Sequence, residues 1–136
     1  MRSLLLLILF LIGLLLIFYL SWIPHPHIGR TGIVPAWLAE WADADENDTI
    51  RTGVPFIFLG LFAGIWIIIN KKSNLWWLTS WMGLFITVLL AEVGQIFIEN
   101  RVFDLMDVIW GAFGAFLGLV SAYGFSFLSR TNSVIN

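Results

Sequence analysis

Residues 4–23 read LLLLILFLIGLLLIFYLSWI and carry no charged side chain. An α-helix crosses the hydrocarbon core of a bilayer with about 20 apolar residues, within a working range of about 17 to 25. Backbone polar groups inside lipid must be satisfied within their own segment, so this segment is expected to be helical. It is longer than the apolar core of a cleavable signal peptide, which spans about 7–15 residues, and we interpret it as a retained anchor.

Three further segments, residues 53–69, 75–91 and 108–129, also lack charge. Over all 136 residues, 60 % are hydrophobic and 12 % are charged, and the mean hydropathy is +0.92. Soluble domains carry about 25 % charged residues. The sequence therefore predicts an all-α integral membrane protein, a four-helix bundle forming a single domain over residues 1–136, with spans at about 4–23, 53–69, 75–98 and 105–129.

The charge balance and the chemistry-bearing residues exclude several classes of function. A formal net charge of −2 argues against a nucleic-acid partner, because phosphate contacts need clustered Lys and Arg. The chain has no cysteine, which excludes a thiolate nucleophile and a Cys-ligated metal. Its two histidines, His25 and His27, have no evident third ligand nearby, so no metal site and no cofactor are predicted.

The loops predict the orientation of the spans. One side has no acidic residue and carries Arg2, Lys71, Lys72 and Arg130. The other side carries three arginines and all nine acidic residues. An excess of Lys and Arg marks cytoplasmic loops, so both termini are expected in the cytoplasm.

Aromatic residues mark the predicted membrane borders. The first outer loop contains Pro35-Ala-Trp-Leu-Ala-Glu-Trp41, which predicts a short helix with Pro at its first turn. Trp37, Leu38 and Trp41 share one face of it, so the helix is expected to lie flat on the outer membrane surface. The remaining tryptophans are interpreted as belts whose ring N–H groups reach the lipid head groups. They are Trp22 and Trp110 outside, and Trp66, Trp76, Trp77 and Trp81 inside.

Small residues predict close helix packing. Gly60 and Gly64 form a GxxxG pattern in the second span, and Gly114 and Gly118 form another in the fourth. Such residues let helix backbones approach closely inside a bilayer. Packing within the chain is preferred over docking on a partner protein.

Polar residues at membrane depth are concentrated between Glu92 and Asp107. Ionisable groups there usually face a protein interior or a wet cavity and mark a functional site. Glu92 and Gln95 share a helix face, and Asp104 and Asp107 repeat that spacing at the start of the fourth span. The predicted ligand-binding residues are Glu92, Gln95, Arg101, Asp104, Asp107 and, before the second span, Arg51.

Two structural alternatives accompany this prediction. Arg101 could neutralise Asp104 and Glu92 as an ion-pair lock that closes the hairpin, although buried pairs are weak evidence for stability. Arg51, which follows Asp48 in the outer loop, is either a snorkelling interfacial residue or a second cation lining the site.

The run Glu92-x-x-Gln95-x-Phe97-x-x-x-Arg101-x-x-Asp104-x-x-Asp107-Val108, followed by Gly114 and Gly118, resembles the VanZ-like family of small bacterial membrane proteins. Four spans and a long first outer loop are similar to that family as well. The chain departs from it at Gly111, where Asn is usual, and at residues 48–52, where relatives carry Asp-Lys-x-x-His. The resemblance implies a cell-envelope role in the bacterial inner membrane, and the namesake is associated with low-level resistance to teicoplanin.

Three function classes follow. The favoured one is an outward-facing site in which Arg101 and Arg51 bind an anionic or lipid-linked cell-envelope ligand, with membrane lipids as partners. The second is an accessory subunit of a larger membrane complex. The third is a metal-assisted enzyme acting on lipid-linked pyrophosphate, in which Glu92, Asp104 and Asp107 would hold a divalent cation. No nucleophile–base pair is evident, so no catalytic residue is predicted.

Overall fold

The computed structural model describes residues 1–24, 27–47 and 50–132. These residues form helices joined by turns and loops, with no β-strand among them. The α-helices are α1 (Arg2–Trp22), α2 (Ala36–Ala42), α3 (Gly53–Ile69), α4 (Leu75–Gln95) and α5 (Leu105–Asn132). The all-α prediction is confirmed, as is the short helix in the first outer loop. His25 and Asp48, which were noted in the sequence, lie outside the described residues.

The lengths of the helices bear on the predicted spans. Among the described residues, α1, α4 and α5 are long and apolar enough to cross a membrane. Helix α3 is apolar but has only 17 residues, which makes it about 26 Å long at 1.5 Å per residue. The molecule therefore has three candidate spans and a fourth helix at the short limit for the hydrocarbon core.

The third predicted span extends beyond the end of α4. It was expected to reach residue 98, but α4 ends at Gln95. The chain leaves the helix through tight turns in which the amides of Ile96 and Ile98 donate to carbonyl groups three residues earlier. Asn100 then adopts a left-handed conformation, φ 62°, which reverses the direction of the chain toward α5.

Helices α3 and α5 run parallel, with their backbones in contact. Gly60 faces the backbone of Ala115, and Gly118 faces that of Ile57. A Cβ atom at either glycine would collide with the carbonyl oxygen of the facing residue. The two GxxxG patterns therefore pack against each other within the chain, as predicted.

The remaining helices pack unequally on this pair. Helix α4 completes a buried apolar cluster made of Phe56, Leu59, Leu84, Val88, Val108 and Ala115. None of the residues of α1, all of which are described, is buried. Helix α1 packs against this cluster through three partly buried residues, Phe10, Leu14 and Ile17. A four-helix bundle around one shared core is therefore not confirmed: three helices share the core and α1 lies at its edge.

The two ends of the molecule differ in chemistry. Where α3 turns into α4, the ammonium group of Lys72 lies 5.4 Å and 5.1 Å from the ring centroids of Trp66 and Trp76. At the same end the amide of Asn70 donates a hydrogen bond of 3.1 Å to the hydroxyl of Ser3. The opposite end holds the termini of α1 and α4 and the first turns of α3 and α5, and it contains the predicted polar site.

Replacing Gly118 by leucine is expected to separate α3 from α5, because the new side chain would occupy the position of the α3 backbone. Overpacking of this kind costs about 1–3 kcal/mol, and here it acts on backbone that cannot yield. The measurement is the thermal unfolding midpoint in mild detergent, followed by circular dichroism.

The matched control is Gly83→Leu in α4, where a Cβ atom would have no neighbour within 4 Å. It is expected to unfold at the wild-type temperature. Equal midpoints for the two variants would contradict the α3–α5 contact.

Candidate functional site

A cavity of about 380 Å³ opens at the end where α1 and α4 terminate. It lies between α1, α2, the first half of α3 and the last turns of α4. Its polar lining consists of Ser21, Arg51, Thr52, Glu92, Gln95, Arg101 and Asp107. Five of the six ligand-binding residues predicted from the sequence therefore line one cavity, and the sixth, Asp104, does not.

Glu92 is the most deeply buried charged residue of the site, with 2 % of its surface exposed. Its Oε1 accepts a hydrogen bond of 2.7 Å from the Gln95 amide. Its Oε2 accepts one of 3.4 Å from the backbone N–H of Asp104. The carboxylate thus links the end of α4 to the segment that begins α5.

A second set of hydrogen bonds joins α1 to α4. Gln95 donates to the Ser21 hydroxyl at 3.0 Å, and that hydroxyl donates to the carbonyl of Ala91 at 3.3 Å. The indole N–H of Trp22 donates to the same carbonyl at 3.1 Å. The indole ring lies against Gly94, where a Cβ atom would collide with it. These contacts fix the end of a helix that has little buried surface elsewhere.

Arg101 binds the C-terminal end of α1. Its Nε donates to the carbonyl of Ile23 at 3.0 Å, and its Nη2 donates to that of Leu20 at 2.9 Å. A cation at a helix C-terminus satisfies carbonyl groups that have no partner within the helix and interacts favourably with the helix dipole. Arg101 therefore fixes the end of α1 through two backbone carbonyls, and the ion-pair lock with Asp104 and Glu92 stays a prediction.

Arg51 has the same relation to α2. Its Nη1 donates to the carbonyl of Ala42, the last residue of that helix, at 3.2 Å. The residue is half-buried and lines the cavity. Of the two interpretations left open by the sequence, the position of Arg51 in the cavity lining favours a cation at the site.

The two aspartates at the start of α5 differ in role. Asp104 is exposed, and its Oδ1 accepts a hydrogen bond of 2.8 Å from the N–H of Met106. It caps α5, whose first N–H groups have no partner inside the helix. Asp107, in the first turn of α5, is half-buried and lines the cavity.

The carboxylates do not form a cation site. Within residues 1–24, 27–47 and 50–132 there is no group of three or more His, Cys, Asp or Glu side chains that could hold a metal ion. Asp104 caps a helix outside the cavity, and Glu92 already accepts two hydrogen bonds. The metal-assisted alternative therefore lacks the three-carboxylate site on which it depended.

Helix α2 covers the cavity, which sequence reasoning missed. Leu38 and Trp41, predicted to lie on the membrane, line the cavity together with Val34 and Ala42. Trp37 is 70 % exposed and faces away from it. Large apolar side chains suit a lipid surface and a cavity roof equally well, so the pattern was ambiguous. The useful signal was the small pair Ala39 and Ala42, both buried, whose spacing marks a packed face.

Comparison of the chain with protein families, with curated proteins and with solved structures found no match. The features of the molecule that bear on its function are the cavity and its polar residues.

Replacing Gln95 by leucine is expected to lower the free energy of unfolding by about 1–3 kcal/mol, because Glu92 and Ser21 each lose a hydrogen-bond donor in a buried position. The check is thermal unfolding in detergent, combined with hydrogen exchange of the amides of residues 18–22. Exchange at the end of α1 is expected to accelerate.

Thr87→Val is the control on the same helix, since the Thr87 hydroxyl bonds only within α4, to the carbonyl of Gly83, among the contacts described. Unchanged exchange at the end of α1 in the Gln95 variant would contradict the proposed link.

Proposed function

We propose that this chain is a multi-pass protein of the bacterial inner membrane, of the VanZ-like family, that binds an anionic or lipid-linked cell-envelope ligand at its outer end. In this proposal α1, α3, α4 and α5 cross the membrane, and both termini lie in the cytoplasm. The family resemblance extends the proposal to low-level teicoplanin resistance. The observation that carries it is the convergence of Glu92, Gln95, Arg101, Asp107 and Arg51 on one cavity.

The size and lining of the cavity support a binding site. Ligand pockets measure about 300–1,000 Å³ and are mostly apolar, with a few convergent polar groups that fix orientation. The guanidinium groups of Arg51 and Arg101 match the geometry of phosphate and carboxylate oxygens. The carbonyl oxygen of Gln95 and the carboxylate of Asp107 supply acceptors for hydroxyl groups. An anionic head group that also carries hydroxyls fits this combination.

The environment of Ser21 argues against a serine nucleophile in the cavity. It is the serine that lines the cavity, and its hydroxyl donates to the carbonyl of Ala91 while accepting from Gln95. A serine nucleophile needs a general base as the acceptor of its proton. The backbone carbonyl cannot serve as that base.

Asp107→Asn is expected to reduce the amount of envelope lipid retained on the purified protein by about tenfold or more, because hydrogen bonds to charged groups are worth about 1.5–3 kcal/mol. The measurement is native mass spectrometry from mild detergent. This variant is preferable to substitution of Arg101, which would also release the end of α1.

Asp104→Asn is the matched control, since it makes the same change in charge three residues away, outside the cavity, and asparagine also caps helices well. Equal lipid retention by the two variants would count against the binding site. Stoichiometric retention of another protein, with no specific lipid, would point to the accessory-subunit alternative.

The orientation can be tested with single cysteines because the native chain has none. Glu99→Cys, at the cavity end, is expected to react with a membrane-impermeant maleimide in intact spheroplasts. Ser73→Cys, in the α3–α4 turn, should react only after the membrane is opened. Both positions are exposed, so access to the reagent is comparable. The reverse pattern would overturn the predicted orientation.

A further inference from the structure

The cavity is elongated, with its polar groups gathered at one end. Its wall on α3 runs from Thr52 to Phe62, a depth of about 15 Å at 1.5 Å per residue. Beyond the first turn of α3 this wall is apolar, and the facing wall on α1 begins at Gly13. The deep end therefore offers nothing to a polar group and suits hydrocarbon.

The volume fits a single chain. An apolar cavity of about 150 Å³ is known to stay dry and hold benzene, so 380 Å³ accommodates about 15 carbon atoms by the same ratio. Fifteen carbons distributed over this depth correspond to one chain and leave no room for two side by side.

The slot has an opening on its lateral side, between α1 and α3. On the aqueous side it is roofed by Leu38 and Trp41 of α2. On the lateral side, Leu16 of α1 and Phe58 of α3 both line the cavity, yet they are 40 % and 54 % exposed. The wall between α1 and α3 is therefore incomplete, and apolar material reaches the slot directly from lipid.

The charges at the polar end indicate the kind of head group that such a chain would carry. Arg51 and Arg101 line this end, together with the carboxyl groups of Glu92 and Asp107. The Glu92 carboxylate accepts hydrogen bonds from two groups of the protein itself, the Gln95 amide and the Asp104 N–H. The groups that meet an incoming head group at the mouth thus include two guanidiniums, which complement an anionic oxygen.

We propose that the cavity holds one hydrocarbon chain of an anionic membrane lipid, which enters sideways from the outer leaflet between α1 and α3 and leaves its head group at Arg51 and Arg101. This inference rests on the proposed function, because it assigns the apolar part of the same site. It goes further in specifying a lipid ligand with its chain inside the protein, and in specifying a lateral route.

The test uses the full chain in phosphatidylcholine nanodiscs containing one of two photoreactive probes. One probe is phosphatidylglycerol with a diazirine at the middle of an acyl chain, and the other is a farnesyl phosphate analogue with a diazirine in its prenyl chain. The readout is the ratio of label at cavity-lining Leu59 and Phe62 to label at lipid-facing Ile86, obtained by peptide mass spectrometry. A ratio above one for either probe is expected, and the probe that gives it identifies the chain type.

Leu16→Trp places a large ring in the lateral opening and is expected to lower that ratio about tenfold, as overpacking of a filled slot does. Leu15→Trp is its control, because Leu15 is 71 % exposed and is not among the lining residues. Gly13→Leu blocks the deep end independently, since a Cβ atom there meets the side chain of Leu59. Leu15 and Leu16 are exposed, so the two tryptophan variants leave the core of α3, α4 and α5 intact, whereas Gly13→Leu presses on Leu59 and needs its thermal unfolding midpoint measured alongside.

Three results would overturn the inference: no label in the slot from either probe, label that Leu16→Trp and Gly13→Leu leave unchanged, or equal loss in Leu15→Trp. If lipid retention still falls in Asp107→Asn, the polar site stands and only the chain assignment fails. If Asp107→Asn is also without effect, the proposed function fails with it.

Discussion

The backbone contact between α3 and α5 is the constraint on which the rest of the molecule depends. Because Gly60 and Gly118 have no side chain, the two backbones approach closely and the helices lie parallel at a fixed level. Arg51, just before α3, is therefore brought to the same height as Asp107 in the first turn of α5. Helix α4 runs in the opposite direction and ends at this level, which adds Glu92. The packing of α3 on α5 through glycine therefore brings residues from distant parts of the chain together in one polar site.

Helix α1 is held mainly by hydrogen bonds at its ends rather than by close backbone packing, and the cavity lies between those attachments. Lipid tails are as apolar as leucine, so a leucine-rich helix gains little by packing against its neighbours inside a bilayer. Helix α1 is fixed mainly at its ends, through Ser21 and Trp22 on Ala91, Arg101 on Leu20 and, at the far end, Ser3 with Asn70. Between these attachments it packs on α3 only in part, with Gly13 beside Leu59. The space left there is the slot.

The sequence predicted the depth and helical face of residues better than it predicted their partners. Charge-free segments located α1, α4 and α5, and the glycine spacing correctly indicated internal packing. The tryptophans show the limit of this reasoning. An aromatic belt predicts that indole N–H groups donate to lipid head groups, but those of Trp22 and Trp81 donate to backbone carbonyls, of Ala91 and Ala112 respectively. Either acceptor satisfies the N–H group. Only the three-dimensional packing decides between the two acceptors. The same ambiguity is why the sequence did not predict that Leu38 lines the cavity.

Arg101 joins the stability of α1 to the chemistry of the site. Two carbonyls of α1 hold its guanidinium in one orientation at the cavity lining, so an anionic head group would meet a donor already fixed in place. Groups that need not be ordered on binding lose less entropy, which raises affinity without any new contact. The same geometry means that a change in the position of α1 moves the guanidinium. Since α1 also forms one wall of the slot, the proposed entry of a chain and the proposed binding of its head group would both depend on this helix. A ligand that engaged both would hold α1 against α3 more firmly than the apoprotein does.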